Sequence, residues 1–197
     1  MEEPKGLLGF HLVSQMGYGH PRRYMQHLNV EIKARCSDHE KIRGFLKLHN
    51  ADFKGTDHQI DTYFRVNNGR LKLREGNIEN FLVFYERENK KGPKESNVIL
   101  LASDPKSSLK KLLISALGIL IVVDKVREIY FIDNVKFHID TVKNLGTFME
   151  IEATDKDGDI GKERLLEQCN HYLSVFGIST TNLISLSYSD LLQRLKG

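Results

Sequence analysis

Apolar and polar residues alternate with a period of two along much of the chain from residue 28 onward, the spacing of half-buried β-strands. The pattern is most sustained between Ile119 and Ala153, which reads as three consecutive strands. In Ile119–Phe131, Ile121, Val123, Lys125 and Arg127 share one face. Asp133-Asn134 forms a turn into Val135–Lys143, where Lys136, His138 and Asp140 lie opposite Val135, Phe137 and Ile139. Asn144-Leu145-Gly146 forms the next turn, and Thr147–Ala153 sets Phe148, Glu150 and Glu152 against Met149, Ile151 and Ala153. A meander of these strands would bring Lys125, Arg127, Asp140, Glu150 and Glu152 onto one surface.

The earlier part of the chain repeats the pattern. In Leu28–Arg35, Asn29, Glu31, Lys33 and Arg35 alternate with Val30, Ile32 and Ala34. Asp38 is a candidate N-cap for a helix over Glu40–His49, whose buried stripe is Ile42, Phe45 and Leu46. A short strand near Asp52–Lys54 leads to a second at Gln59–Val66, with Gln59, Asp61, Tyr63 and Arg65 on one face. Asn67-Asn68-Gly69 is a hairpin turn into Arg70–Glu75, followed by strands at Phe81–Glu88 and Val98–Ala102. Leu109, Leu112, Leu113 and Ala116 mark a helix over Lys106–Leu117. A second amphipathic helix covers Gly161–Phe176, ending at Gly177, and a last short one covers Tyr188–Leu195. The elements therefore predict an α+β fold rich in antiparallel sheet.

At 197 residues the chain suits one domain, and its formal charge of +3 is too small to imply a nucleic-acid or membrane partner. Its two cysteines, Cys36 and Cys169, lack metal-ligand spacing and read as reduced thiols, so a cytoplasmic setting is expected. The longest apolar run, Leu117–Val123, is too short to span a bilayer. Residues 1–24, with four glycines and no sustained period, are expected to form a disordered extension ahead of a single domain at 25–197. Asp155, Asp157 and Asp159 imitate the start of a calcium loop. Ile160 and Leu166 stand where that loop needs Gly and Glu, so the aspartates are assigned to the start of the next helix.

Glu150 and Glu152 point the same way along a strand, and with Asp140 and Glu31 they supply hard oxygen ligands suited to Mg²⁺ or Mn²⁺. Lys33, Arg70, Lys72, Arg74, Arg87, Lys125 and Arg127 supply cations from four strands, and guanidinium and ammonium groups both match phosphate oxygens. A solvent-facing sheet also alternates apolar with charged residues, and Arg65 and Lys136 are assigned to such a face. For the stretch from Lys125 to Glu152 a binding surface is favoured, because acids and bases recur together.

These residues carry a resemblance to a known family. NVEIKA at Asn29–Ala34, QIDTYF at Gln59–Phe64, GRLKLRE at Gly69–Glu75 and Asp124–Arg127 are similar to motifs of the CYTH, or triphosphate tunnel metalloenzyme, superfamily. So are NVKFHIDTV, LGTFMEIE and the SYSDLL ending at Ser187–Leu192. Together they resemble most closely the class IV adenylate cyclase-like, thiamine triphosphatase-related branch, from Leu28 to about Leu192. The resemblance implies a closed eight-stranded antiparallel β-barrel with helices outside, whose lumen holds a triphosphate with divalent metal. It assigns phosphate-binding or catalytic roles to Lys33, Arg74, Lys125 and Arg127, and phosphate binding to Lys72, Arg87 and Arg70. Metal ligation falls to Glu31, Asp140, Glu150 and Glu152, with Asn29 a neutral amide where the family has a glutamate.

The expected activity is metal-dependent binding and phosphoryl chemistry on a nucleotide or organic triphosphate, with hydrolysis favoured. Adenylate cyclisation to cyclic AMP and pyrophosphate, or a non-catalytic nucleotide- or polyphosphate-binding role, are the alternatives. Inorganic polyphosphate is a further candidate ligand, no DNA or membrane partner is expected, and the chain is expected to be a monomer or homodimer.

Overall fold

In the computed structural model of the chain the described residues are 25–196 without residues 88 and 90, and the side chains at 25–27 and 87 are outside the description. The expected extension at 1–24 and the side chain of Arg87 therefore lie outside the described residues. Eight strands and four α-helices follow in the order β1 (Met25–Arg35), α1 (His39–Leu48), β2 (Asp52–Phe64), β3 (Arg70–Glu75), β4 (Phe81–Arg87) and β5 (Lys94–Ala102). They continue as α2 (Leu109–Leu117), β6 (Ile119–Ile132), β7 (Val135–Val142), β8 (Gly146–Asp155), α3 (Lys162–Val175) and α4 (Tyr188–Arg194).

All strands pair antiparallel in one ring, β1-β5-β4-β3-β2-β6-β7-β8, and β8 returns to β1. Each strand thus has a hydrogen-bonded neighbour on both sides, which removes the exposed edges that an open sheet would carry. The tight turns follow local chemistry. At Gly69 the backbone is left-handed (φ 64°), and an added Cβ would lie 2.7 Å from the Phe84 ring, so only glycine fits.

A ring has two faces per strand, and here they have different partners. The outward residues Val30, Ile32 and Ala34 of β1, Phe137 and Ile139 of β7, and Met149 and Ile151 of β8 pack on Ile42 and Leu46 of α1 and Leu165 and Cys169 of α3. Phe137 is fully buried there, and truncating such a side chain typically costs about 3–5 kcal/mol. The alternate residues of the same strands face the lumen. On the opposite flank α2 covers Phe64 and Leu73 through Leu113. At one end of the ring α4 lies under the lumen, with Tyr188 packed on Phe148. Its start is a full capping box between Ser187 and Asp190.

Several boundaries differ from the sequence expectation. β2 is one strand of 13 residues, with a bulge between Phe53 and Gly55 where two strands were expected. β5 begins at Lys94 because Glu31 and Asn29 of β1 pair with Lys94 and Ser96. α2 starts at Leu109, since Asp104 closes a turn by accepting the Lys106 N–H. Asp155 accepts the N–H groups of Gly158, Asp159, Ile160 and Gly161. These bonds shape the entry to α3. Among the described residues no helix is long and apolar enough to cross a membrane.

Candidate functional site in the lumen of the ring

The lumen holds a cavity of about 150 Å³ whose lining comes from every strand, from Glu79 in the β3–β4 loop, and from Ser187 and Tyr188 at the α4 end. Among the described residues six basic side chains line it, Lys33, Lys72, Arg74, Lys125, Arg127 and Lys136, together with five carboxylates, Glu31, Asp61, Glu79, Glu150 and Glu152. Three networks hold most of these charges in place.

Asp61 of β2 is the centre of the first. Its carboxylate accepts from Lys125 Nζ at 2.6 Å, Lys72 Nζ at 3.0 Å and Arg74 Nε at 2.9 Å. Burial alone would raise this carboxyl, but Arg74, Lys125 and Lys72 outweigh it and hold it well below the usual carboxylate range. Lys125 has the opposite balance. Burial lowers its ammonium, Asp61 raises it, and Arg74, Arg127 and Lys72 lower it further, leaving it at about 7.

Glu79 centres the second network, accepting from Arg74 Nη1 at 2.7 Å, Lys136 Nζ at 2.5 Å and Gln59 Nε2 at 3.0 Å. Its loop is fixed by Asp57, whose carboxylate takes the N–H groups of Ile78 and Glu79. In the third network Arg127 binds Asp140 through Nε at 2.7 Å and Nη2 at 2.6 Å, and Glu150 at 2.7 Å. Glu150 also pairs with Lys33 at 2.8 Å and with His138 Nδ1 at 3.1 Å. Burial, Arg127 and Lys136 push the His138 imidazole down to about 4 against the pull of Glu150, so it is neutral at pH 7 and donates through Nδ1. Lys33 lies 3.7 Å from the centroid of the Tyr188 ring, whose hydroxyl donates to Asp140 at 2.7 Å.

A fourth group lies on β1 and β8. Glu31 and Glu152 are opposite one another in the β1–β8 register, and Asn29 Nδ2 donates to Glu152 Oε1 at 2.5 Å. Asn29 Oδ1 is buried and has no hydrogen-bond partner among the described residues. Among the described residues no three His, Cys, Asp or Glu side chains gather into a metal site by themselves. Two carboxylates beside an unsatisfied amide oxygen nonetheless fit Mg²⁺, which commonly takes one or two carboxylates and completes its shell with substrate phosphates and water.

The structure thus brings Asn29, Glu31, Lys33, Lys72, Arg74, Lys125, Arg127, Glu150 and Glu152 to one cavity. It sets two of the expected residues apart. Arg70 leaves the lumen for Asp190 of α4 and Asn89, at 3.0 and 3.1 Å. Asp140 is fully buried behind Arg127, outside the lining, with its oxygens taken by Arg127 and Tyr188. Lys136 corrects its assignment to a solvent face. The apolar face of β7 packs on helices outside the ring, so the charged face is the inner one. Asp61, Glu79 and Tyr188 were not singled out. Asp61 shares a strand face with Gln59 and Tyr63 and was within reach of the alternation argument, whereas Glu79 belongs to a loop with no period.

An antiparallel ring that encloses paired acids and bases defines a class of protein, and comparison with known proteins agrees. The chain belongs to the CYTH domain family, whose model matches residues 27–188. Over 179 residues it is 30% identical to a candidate adenylate cyclase, MJ0240, of Methanocaldococcus jannaschii, covering 83% of this chain and 98% of that protein. Among solved structures, the PH1012 protein of Pyrococcus horikoshii OT3 is similar at 23% identity and a TM-score of 0.64, covering 83% of this chain and 98% of that one. A candidate adenylate cyclase of Vibrio parahaemolyticus reaches a TM-score of 0.67 at 17% identity over 84% of this chain and 98% of that one. A candidate adenylyl cyclase of Hippeastrum, described as revealing a dominant triphosphatase activity, has a TM-score of 0.59 at 15% identity over 85% and 95%.

Proposed function

We propose that the protein binds a nucleotide or organic triphosphate with divalent metal in this lumen and hydrolyses it. The observation that carries the reading is the charge count of the cavity. Among the described residues six basic side chains, Lys125 among them only when protonated, stand against five carboxylates, a surplus of at most one (6 − 5), and His138 is neutral at pH 7. A bare triphosphate would overload that surplus, so the lining suits an anion that enters together with Mg²⁺ or Mn²⁺. The family and the triphosphatase and cyclase descriptions of its relatives support a triphosphate-related activity.

In this reading Lys72, Arg74, Lys125 and Arg127 exchange their carboxylate partners for non-bridging phosphate oxygens, and Lys33 holds the end of the chain above Tyr188. Glu31, Glu152 and the Asn29 amide oxygen hold the metal, with Glu150 beside them. The metal supplies Lewis-acid charge against the phosphate oxygens. The protein's own part is positioning and electrostatic stabilisation by groups fixed before the ligand arrives. The same clamp would serve a ribose hydroxyl attacking the α-phosphorus. Cyclisation to cyclic AMP is therefore the second reading, favoured by the likeness to the Methanocaldococcus protein.

The test is a panel of ATP, GTP, thiamine triphosphate and tripolyphosphate, each with Mg²⁺, Mn²⁺ or chelator. Phosphate release that requires metal is expected, and Asn29→Glu is expected to lower the metal concentration for half-maximal rate. Cyclic AMP with pyrophosphate would replace hydrolysis by cyclisation. Binding that survives chelator with no product from any compound would overturn both in favour of a non-catalytic binding module.

A further inference from the structure

The lining is not charged all round. Alternation along β4 and β5 sets Phe81, Val83 and Tyr85 and, beside them, Val98 and Leu100 toward the lumen. The register puts Val83 opposite Leu100 and Tyr85 opposite Val98, so the five side chains form one apolar strip across two adjacent strands. By ring order β4 lies across from β7 and β5 across from β6, which places the strip opposite Lys125, Arg127 and Lys136. Val83 and Tyr85 continue into the apolar packing around Tyr188 and Leu192, whereas Phe81, Val98 and Leu100 are only partly covered. Phe81 follows closely on the loop that carries Glu79.

An apolar wall has nothing to offer phosphate oxygens, and an inorganic polyphosphate would have no use for it. It confines the phosphate chain to the charged half of the lumen and leaves a surface for something flat and apolar attached to that chain. We propose that the inner faces of β4 and β5 seat the organic group of the ligand, an aromatic heterocycle esterified to the triphosphate. The proposal rests on the lumen being a triphosphate site, and it makes inorganic tripolyphosphate the poorer ligand.

The experiment titrates ATP, thiamine triphosphate and tripolyphosphate by calorimetry in Mg²⁺, beside their turnover, for wild type, Leu100→Asn and Leu100→Phe. Wild type is expected to bind at least one ester more tightly than tripolyphosphate. Leu100→Asn should weaken that ester about tenfold, the worth of one buried aliphatic contact, while tripolyphosphate stays within about twofold. Leu100→Phe, which enlarges the wall, should hold or tighten the ester and carries the test if the asparagine variant does not fold. Tripolyphosphate bound as tightly as both esters, or losses equal for all three ligands, would overturn this proposal alone. Failure of wild type to bind or cleave any of the three would overturn the triphosphate reading, and the seat with it.

Discussion

Lys125 and Asp61 are the pair on which the electrostatics of the lumen turn. Lys125 sits at about 7 in the folded chain against an ordinary 10.5, so between those pH values the unfolded chain binds the extra proton. The sign follows: this group's contribution to stability rises with pH through that window and falls away as pH drops toward 7. A bound triphosphate would favour the charged ammonium, so binding near pH 8 should take up a proton. The check is calorimetry in buffers of different ionisation enthalpy, where the observed enthalpy should track the buffer for wild type and become flat for Lys125→Arg. Asp61→Asn removes the common partner of three cations. Breaking a buried pair from one side typically costs about 3–5 kcal/mol, to be read from urea unfolding at pH 7. Added tripolyphosphate should restore more stability to the variant than to wild type, since it replaces the missing anion.

Among the elements, the β3–β4 loop is the most finely fitted. A Cβ on Gly76 would come within 2.7 Å of both Asp57 oxygens, the same oxygens that take the loop's N–H groups. Gly76→Ala should therefore loosen Glu79 and lower the melting temperature, at a cost of about 1–3 kcal/mol for the disturbed buried carboxylate. Thermal unfolding of the ligand-free protein measures it. The strands themselves were legible, because alternation marks a strand wherever one face differs from the other. Alternation does not say which face is the inside. On β7 the apolar face looks out to α3 and the charged face looks in. On β6 Ile121 and Val123 point inward with Lys125 and Arg127, while Val122 and Val126 are exposed on the outside. Lys136 was assigned to solvent for that reason. Glu79 and the placement of Asp140 depend on contacts between distant elements, which no local pattern records. The family motifs supplied what alternation could not, namely that the charged faces meet across one lumen.

The whole molecule depends on its first strand finding its last. Asn29 and Glu152, joined by a hydrogen bond in the lumen, are 123 residues apart in sequence, and the β1–β8 ladder that joins their strands completes the ring. On a ribosome β1 emerges early and has only β5 to pair with until nearly all of the domain has been made. Its other edge stays open meanwhile, the kind of edge that recruits foreign strands. The charges that would grip a ligand are likewise scattered until that last ladder forms. A nascent chain halted before β8 would carry most of the cations and no enclosure to hold them, so ligand binding should wait for the β1–β8 ladder.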